Sequence, residues 1–185
     1  MIIIGIDPGT NTTGFGLIKF EKNKLTRIDS GIISLPENHS LPRKLERIYD
    51  NIVDIIETHH PTECAIEDVF FSKNVKSSLK LGHARGVAML GALHHDIQIS
   101  EYSAKEMKMA VVGNGNASKE QVHFMVRKIL NIKKDMTFDE SDALGIAICH
   151  AHRIKSPRAS VRSWSAYIKA HPELIKSEGT IRNPR

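Results

Sequence analysis

Several chemistries are excluded by what this chain of 185 residues leaves out. It has two cysteines, Cys64 and Cys149, far apart and without a C-x-x-C neighbour. Neither a disulfide scaffold nor a zinc site is implied, and both read as small buried apolar residues of a reduced, cytoplasmic protein. No apolar run approaches the roughly 18 residues of a membrane-spanning helix, and Met1 runs into a short apolar stretch with no basic segment before it, so neither a membrane span nor a secretory leader is expected. Nothing repeats along the chain. The spacing G-x-x-x-x-G-K-[ST] is also missing, so the glycines of "VVGNGNASK" are not a P-loop.

What is present is charge, and it is segregated. The formal total is +5. Between Lys73 and Lys134 there are eleven Lys/Arg against four Asp/Glu, from Arg153 onward eight against two, and in the remainder seven against fifteen. Two basic blocks flanking acidic segments suit a polyanion held near a carboxylate cluster, although basic tails often serve only solubility. The length suits one core, able to bury roughly 70% of the unfolded surface without disulfides or a structural metal.

The order of elements can be read from periodicity. "MIIIGID", "TGFGLIKF" and "TRIDSGIISL", joined by short turns, predict a three-stranded antiparallel meander. Leu41, Leu45, Ile48, Tyr49, Ile52, Val53 and Ile56 recur at helical spacing between Ser40 and Pro61. "ECAIEDVF" predicts a fourth strand, "SSLKLGHARGVAMLGALHH" a helix, "IQISEY" a fifth strand and "SAKEMKMAVVG" a helix ending at Gly113. Ser118 with Gln121, and Thr137 with Glu140, form capping-box patterns for two further helices. The helix of residues 77–95 is apolar nearly all round, with Gly82, Gly86 and Gly91 narrowing it. Such a helix covers two surfaces: the sheet, and either a second copy of the chain or the interior of one large domain. The predicted organisation is a domain of residues 1–155 and a loosely held basic tail, 156–185, with a short helix around Trp164 to Ile168.

Four acids stand out. Asp7 and Glu67 each end an apolar strand, and Asp139 and Asp142 share one face of a helix's first turns while Glu140 points elsewhere. First-turn acids are frequent for dipole reasons alone. Taken with two strand-end acids, they would repel and raise one another's pKa unless cations neutralised them. An all-oxygen set without His or Cys favours Mg²⁺ or Mn²⁺ over zinc. Two such ions about 3.5–4 Å apart can activate a water and stabilise the leaving oxygen of a phosphodiester.

"GIDPGT" with "TGFGLI", "AIEDVFFSKN", "LKLGHARGVAMLGAL", "YSAKEMKMAVVGNGNASKEQV" and "DESDALGIAICH", in this order over residues 1–155, resemble the RuvC family of bacterial Holliday-junction resolvases. The resemblance implies an α/β, ribonuclease H-like fold: a five-stranded mixed sheet, its first three strands antiparallel, flanked by helices. It implies a homodimer that nicks two opposed strands of a four-way DNA junction in recombination and repair, leaving ligatable 5′-phosphate and 3′-hydroxyl ends, with the RuvA–RuvB branch-migration complex as partner. Asp7, Glu67, Asp139 and Asp142 would be the catalytic ligands of two Mg²⁺ per subunit, or Mn²⁺ in its place. Phe70 would stack on a base unpaired near the junction centre, and Lys108 and Lys119 would contact phosphate. From the residues alone, one of the two aromatics of "DVFFSKN" can be core while the other is exposed, and each lysine can be an ordinary solvated side chain.

Other readings compete. The opening motif also resembles the phosphate-binding turn of actin-like ATPases and sugar kinases, although those need a second lobe with its own phosphate turn. A structural DNA-binding module without catalysis, or another ribonuclease H-fold nuclease, would share much of the pattern, because acids alone do not specify substrate.

Overall fold

In the computed structural model, which describes residues 1–68 and 74–155, the opening apolar run becomes the middle strand of a five-stranded sheet. Strand β1 (Ile2–Asp7) pairs antiparallel with β2 (Thr12–Glu21), which pairs antiparallel with β3 (Lys24–Ser34). Lys22 and Asn23 both take positive φ between β2 and β3, the geometry of a two-residue primed turn whose twist matches the strands. On its other side β1 pairs parallel with β4 (Glu63–Glu67), and β4 pairs parallel with β5 (Gln98–Tyr102). The order is β3-β2-β1-β4-β5, the mixed sheet with an antiparallel first half that the sequence implied.

Helices cover both faces, so β1 is apolar without alternation. Ile4, Ile6, Leu17, Cys64 and Ile66 meet α1 (Leu41–His59) and α2 (Val75–Leu93) on one face. Ile3, Ile18, Ala65 and Tyr102 meet α3 (Ala104–Val112), α4 (Lys119–Ile129) and α5 (Phe138–Lys155) on the other. Both cysteines are free and buried. A buried polar link crosses the second core: the Tyr102 hydroxyl lies 2.8 Å from Nδ1 of His150, whose Nε2 lies 3.5 Å from Glu63. Burial lowers the His150 pKa, which keeps the ring neutral at physiological pH.

Local signals explain most boundaries. Helix α1 stops at His60, in the left-handed region just before Pro61, and α3 stops at Gly113, whose φ of 79° suits glycine. Ser118 and Gln121 form the expected capping box, and Ser103 with Glu106 forms another at the start of α3. Ser40 stands at the N-cap of α1 without a side-chain capping bond. The box expected at α5 is half made. The Thr137 hydroxyl accepts from the Glu140 N–H, but the Glu140 carboxylate accepts instead from Ser30 Oγ at 2.6 Å, with Arg27 3.7 Å away. An anchor on β3 has replaced the local bond.

Helix α2 is not enclosed on both sides by its own domain. It buries Ala84, Ala88, Gly91 and Ala92, whereas Leu79 is 61% exposed and Leu93 54%. Among the described residues no helix is long and apolar enough to cross a membrane. Phe70, the basic tail and the helix expected around Trp164 lie outside the described residues.

Candidate active site

The four acids reach one end of the sheet by separate routes. Ile6 is in register with Ile66 in the parallel β1–β4 pair, so the next residues, Asp7 and Glu67, emerge side by side. Side chains alternate along a strand. Because Ile6 and Ile66 face α1 and α2, Asp7 and Glu67 face the opposite way, toward α5.

Glycines let α5 come close enough to add its acids. Asp7 pairs with Gly14 across the antiparallel ladder, and Gly5 with Gly16. A Cβ on Gly14 would lie 2.1 Å from the Asp139 carbonyl oxygen, and one on Gly5 would lie 2.1 Å from that of Ala143. The helix backbone therefore rests on a strip of bare strand. That contact sets the height of Asp139 and Asp142 over Asp7.

Each acid has found a different form of relief from crowding. The Asp7 and Glu67 carboxyls stand close enough at the strand ends for each to oppose ionisation of the pair. Burial, first, and then the adjoining Glu67 carboxyl and the charges of Asp142 and Asp139 push the Asp7 carboxyl up to about 9. Asp139 accepts a hydrogen bond from the Thr12 hydroxyl at the start of β2. Asp142 is buried and lies 3.4 Å from the ammonium of Lys119, the first residue of α4. Burial outweighs that ammonium and leaves the Asp142 pKa raised, while the Asp142 charge raises that of Lys119.

Among the described residues no three His, Cys, Asp or Glu side chains are drawn together tightly enough to hold an ion as they stand. The donor set nevertheless fits a hard divalent cation. All four donors are carboxylates, and an acid held at about 9 marks a place where positive charge is missing.

The structure thus brings Asp7, Glu67, Asp139, Asp142 and Lys119 together. Lys108 sits half-buried on α3, and the charges acting on Asp7 and Asp142 come from Lys119 and the other acids. Three supporting residues escaped the sequence reading. Thr12 orients Asp139. Thr13, fully buried, lies 3.3 Å from the Gly9 N–H and braces the turn after Asp7. Arg85 on α2 donates from Nε to the Glu67 carbonyl at 3.0 Å and binds Glu101 on β5, pinning the end of β4. Nothing in the spacing of "GHARG" signals that reach.

A family model described as "Crossover junction endodeoxyribonuclease RuvC" matches residues 3–150. A crossover junction endodeoxyribonuclease RuvC of Legionella pneumophila (strain Lens) is 50% identical over 151 residues, 82% of this chain and 87% of that protein. The structure of Thermus thermophilus RuvC superposes with a TM-score of 0.78 at 27% identity, covering 85% of this chain and 97% of that one. T. thermophilus RuvC in complex with a Holliday junction substrate gives 0.76 at 25% identity, covering 84% and 96%. The sheet order and its helical layers are those of the ribonuclease H-like resolvases.

Proposed function

The chain belongs to the RuvC family of crossover junction endodeoxyribonucleases, and from that membership we propose that it resolves Holliday junctions by symmetric, Mg²⁺-dependent nicking of two opposed strands, leaving 5′-phosphate and 3′-hydroxyl ends. The observation that carries the reading is the convergence of two strand-end acids with two acids of a helix's first turns around a carboxyl held at about 9. Membership in this family sets aside the actin-like ATPase alternative.

Asp7, Glu67, Asp139 and Asp142 would hold the cation, with two Mg²⁺ per subunit. When bound, the metal supplies charge neutralisation and an activated water for in-line hydrolysis of the phosphodiester. The chain's own residues do the rest. Arg85 and the parallel register hold Glu67 beside Asp7, the Thr12 hydroxyl orients Asp139 by donating to one of its oxygens, and Lys119 presents an ammonium at the same edge. The Lys119 ammonium, 3.4 Å from Asp142, would also be placed to meet a phosphate oxygen of the strand lying over the acids.

Cutting two opposed strands takes two copies of the site. The outer face of α2 supports a homodimer: Leu79, Leu90 and Leu93 are exposed there, and a Cβ on Gly82 or Gly86 would meet nothing within 4 Å. A C2 pairing would bury this face against itself. Lys108 as a phosphate contact, Phe70 as a stacking residue, the RuvA–RuvB complex as partner and a place beside DNA in the bacterial cytoplasm belong to the proposal through family resemblance.

The test is a synthetic four-way junction incubated with and without Mg²⁺, with linear duplex as control. Paired incisions at symmetric positions, on the junction alone and only with the metal, are expected. Cleavage of linear duplex at the same rate would overturn the reading.

A further inference from the structure

The turn that follows Asp7 has two sides, and only one faces the acids. Its other side, Gly9, Thr10 and Asn11, forms a wall of a cavity of about 160 Å³ on the α1–α2 face of the sheet. The floor is apolar, with Leu45 and Ile48 of α1 and Ala84 of α2, and Lys44, Lys80 and His39 stand around it against one acid, Glu37. Lys44 donates to the Thr10 carbonyl at 3.2 Å. An ammonium has three donors, so this bond fixes the charge at the cavity wall and leaves two donors for a ligand. With Lys44 and Lys80 against Glu37, the lining is net positive.

We propose that this cavity is a second phosphate subsite, which takes one backbone phosphodiester of a DNA strand outside the bond that is cut, between Lys44 and Lys80, with the attached sugar against the apolar floor. The volume admits one such unit and excludes a duplex. Because the turn of residues 8–11 separates the cavity from Asp7, a strand crossing that turn is gripped on both sides of it. The grip fixes which linkage lies over the acids. The inference deepens the proposed junction-cleaving function and rests on it for the identity of the strand.

The test measures junction affinity by fluorescence anisotropy in EDTA as salt is raised, for the full chain, Lys80→Met, Lys44→Met and the hairpin-tip control Lys22→Met. Each phosphate contact contributes about 0.9 to the slope of log affinity against log salt. A slope reduced by about 0.9 in Lys80→Met and in Lys44→Met, unchanged in Lys22→Met and restored by Lys44→Arg, is expected, with affinity lowered about tenfold at moderate salt. Slopes equal to the parent's in both cavity variants would overturn the proposal. A second arm titrates inorganic phosphate while amide resonances of Gly9 to Asn11 are followed. Shifts that vanish in Lys80→Met, without any change in DNA slope, would make free phosphate the ligand and overturn the strand assignment. A parent chain that binds junction no better than linear duplex would instead defeat the proposed function.

Discussion

Lys119 holds its ammonium 3.4 Å from the buried carboxylate of Asp142, although one residue opens α4 and the other lies in the first turns of α5. The pairing makes the lysine part of the acid cluster rather than a solvated cation. Lys119→Met should lower the single-turnover rate on junction DNA by about 10²-fold, the usual cost of one preorganised charge donor. The Asp142 pKa, already raised by burial, should climb further without its partner, so the acidic limb of the pH–rate profile should move to higher pH. A methionine variant with parental rate and profile would show the pairing to be incidental.

Asp7 makes the metal-free fold sensitive to pH. Its folded pKa is about 9 against an ordinary 3.8. Below about pH 4 both folded and unfolded chains keep the proton, and between there and about 9 the unfolded chain gives it up more readily, so stability falls as pH rises through that window. Asp7→Asn has no proton to lose. In EDTA at pH 8 it should melt above the parent, with the gap closing toward pH 4. Mg²⁺ should raise the Tm of the parent more than that of the variant, and cutting should be abolished while junction binding remains. A lower Tm for the variant in EDTA at pH 8 would contradict this account.

Thr12→Val keeps the shape of the side chain and removes the hydroxyl that donates to Asp139. Groups that orient metal ligands typically affect metal affinity or activity by 10–100-fold. A rise of about tenfold in the Mg²⁺ concentration for half-maximal rate is expected, mirrored in the Mg²⁺-induced Tm shift, with Thr12→Ser restoring both. Equal metal dependence in Val and Ser variants would remove the orienting role.

Gly14→Ala would set a methyl 2.1 Å from the Asp139 carbonyl oxygen, and backbone cannot swing aside as a long side chain can. Helix α5 would have to lift at the end that carries two of the acids. Overpacking of this kind costs about 1–3 kcal/mol, visible in urea unfolding, and cleavage should fall further than stability alone accounts for. A fully active variant would show that α5 tolerates a higher seat.

The exposed flank of α2 makes a prediction about assembly. Leu90→Glu adds an acidic charge to a face that carries Leu79, Leu93, open glycines and the exposed His83. Sedimentation should find dimer in the parent and monomer in the variant, with the monomer unable to make paired incisions. A parent chain that sediments as a monomer at micromolar concentration would end the homodimer proposal.

The sequence by itself determined the elements and their ends. Alternation and helical spacing are short-range properties, so the strands, the α1 stripe of Ile48, Ile52 and Ile56, and the Ser118–Gln121 cap could be read directly. It also marked the four acids, because an ionisable group at the end of an apolar run is costly without a partner. Only the tertiary structure decided who those partners are. Thr12 meets Asp139 across 127 positions, Glu140 leaves its local cap for Ser30 across 110, and Arg85 reaches the Glu67 carbonyl from the far side of the sheet. Such contacts depend on how closely two surfaces approach, here set by Gly5 and Gly14 beneath α5. Helical and strand periodicities extend over a few residues and carry no record of that distance, which exists only once the layers have packed.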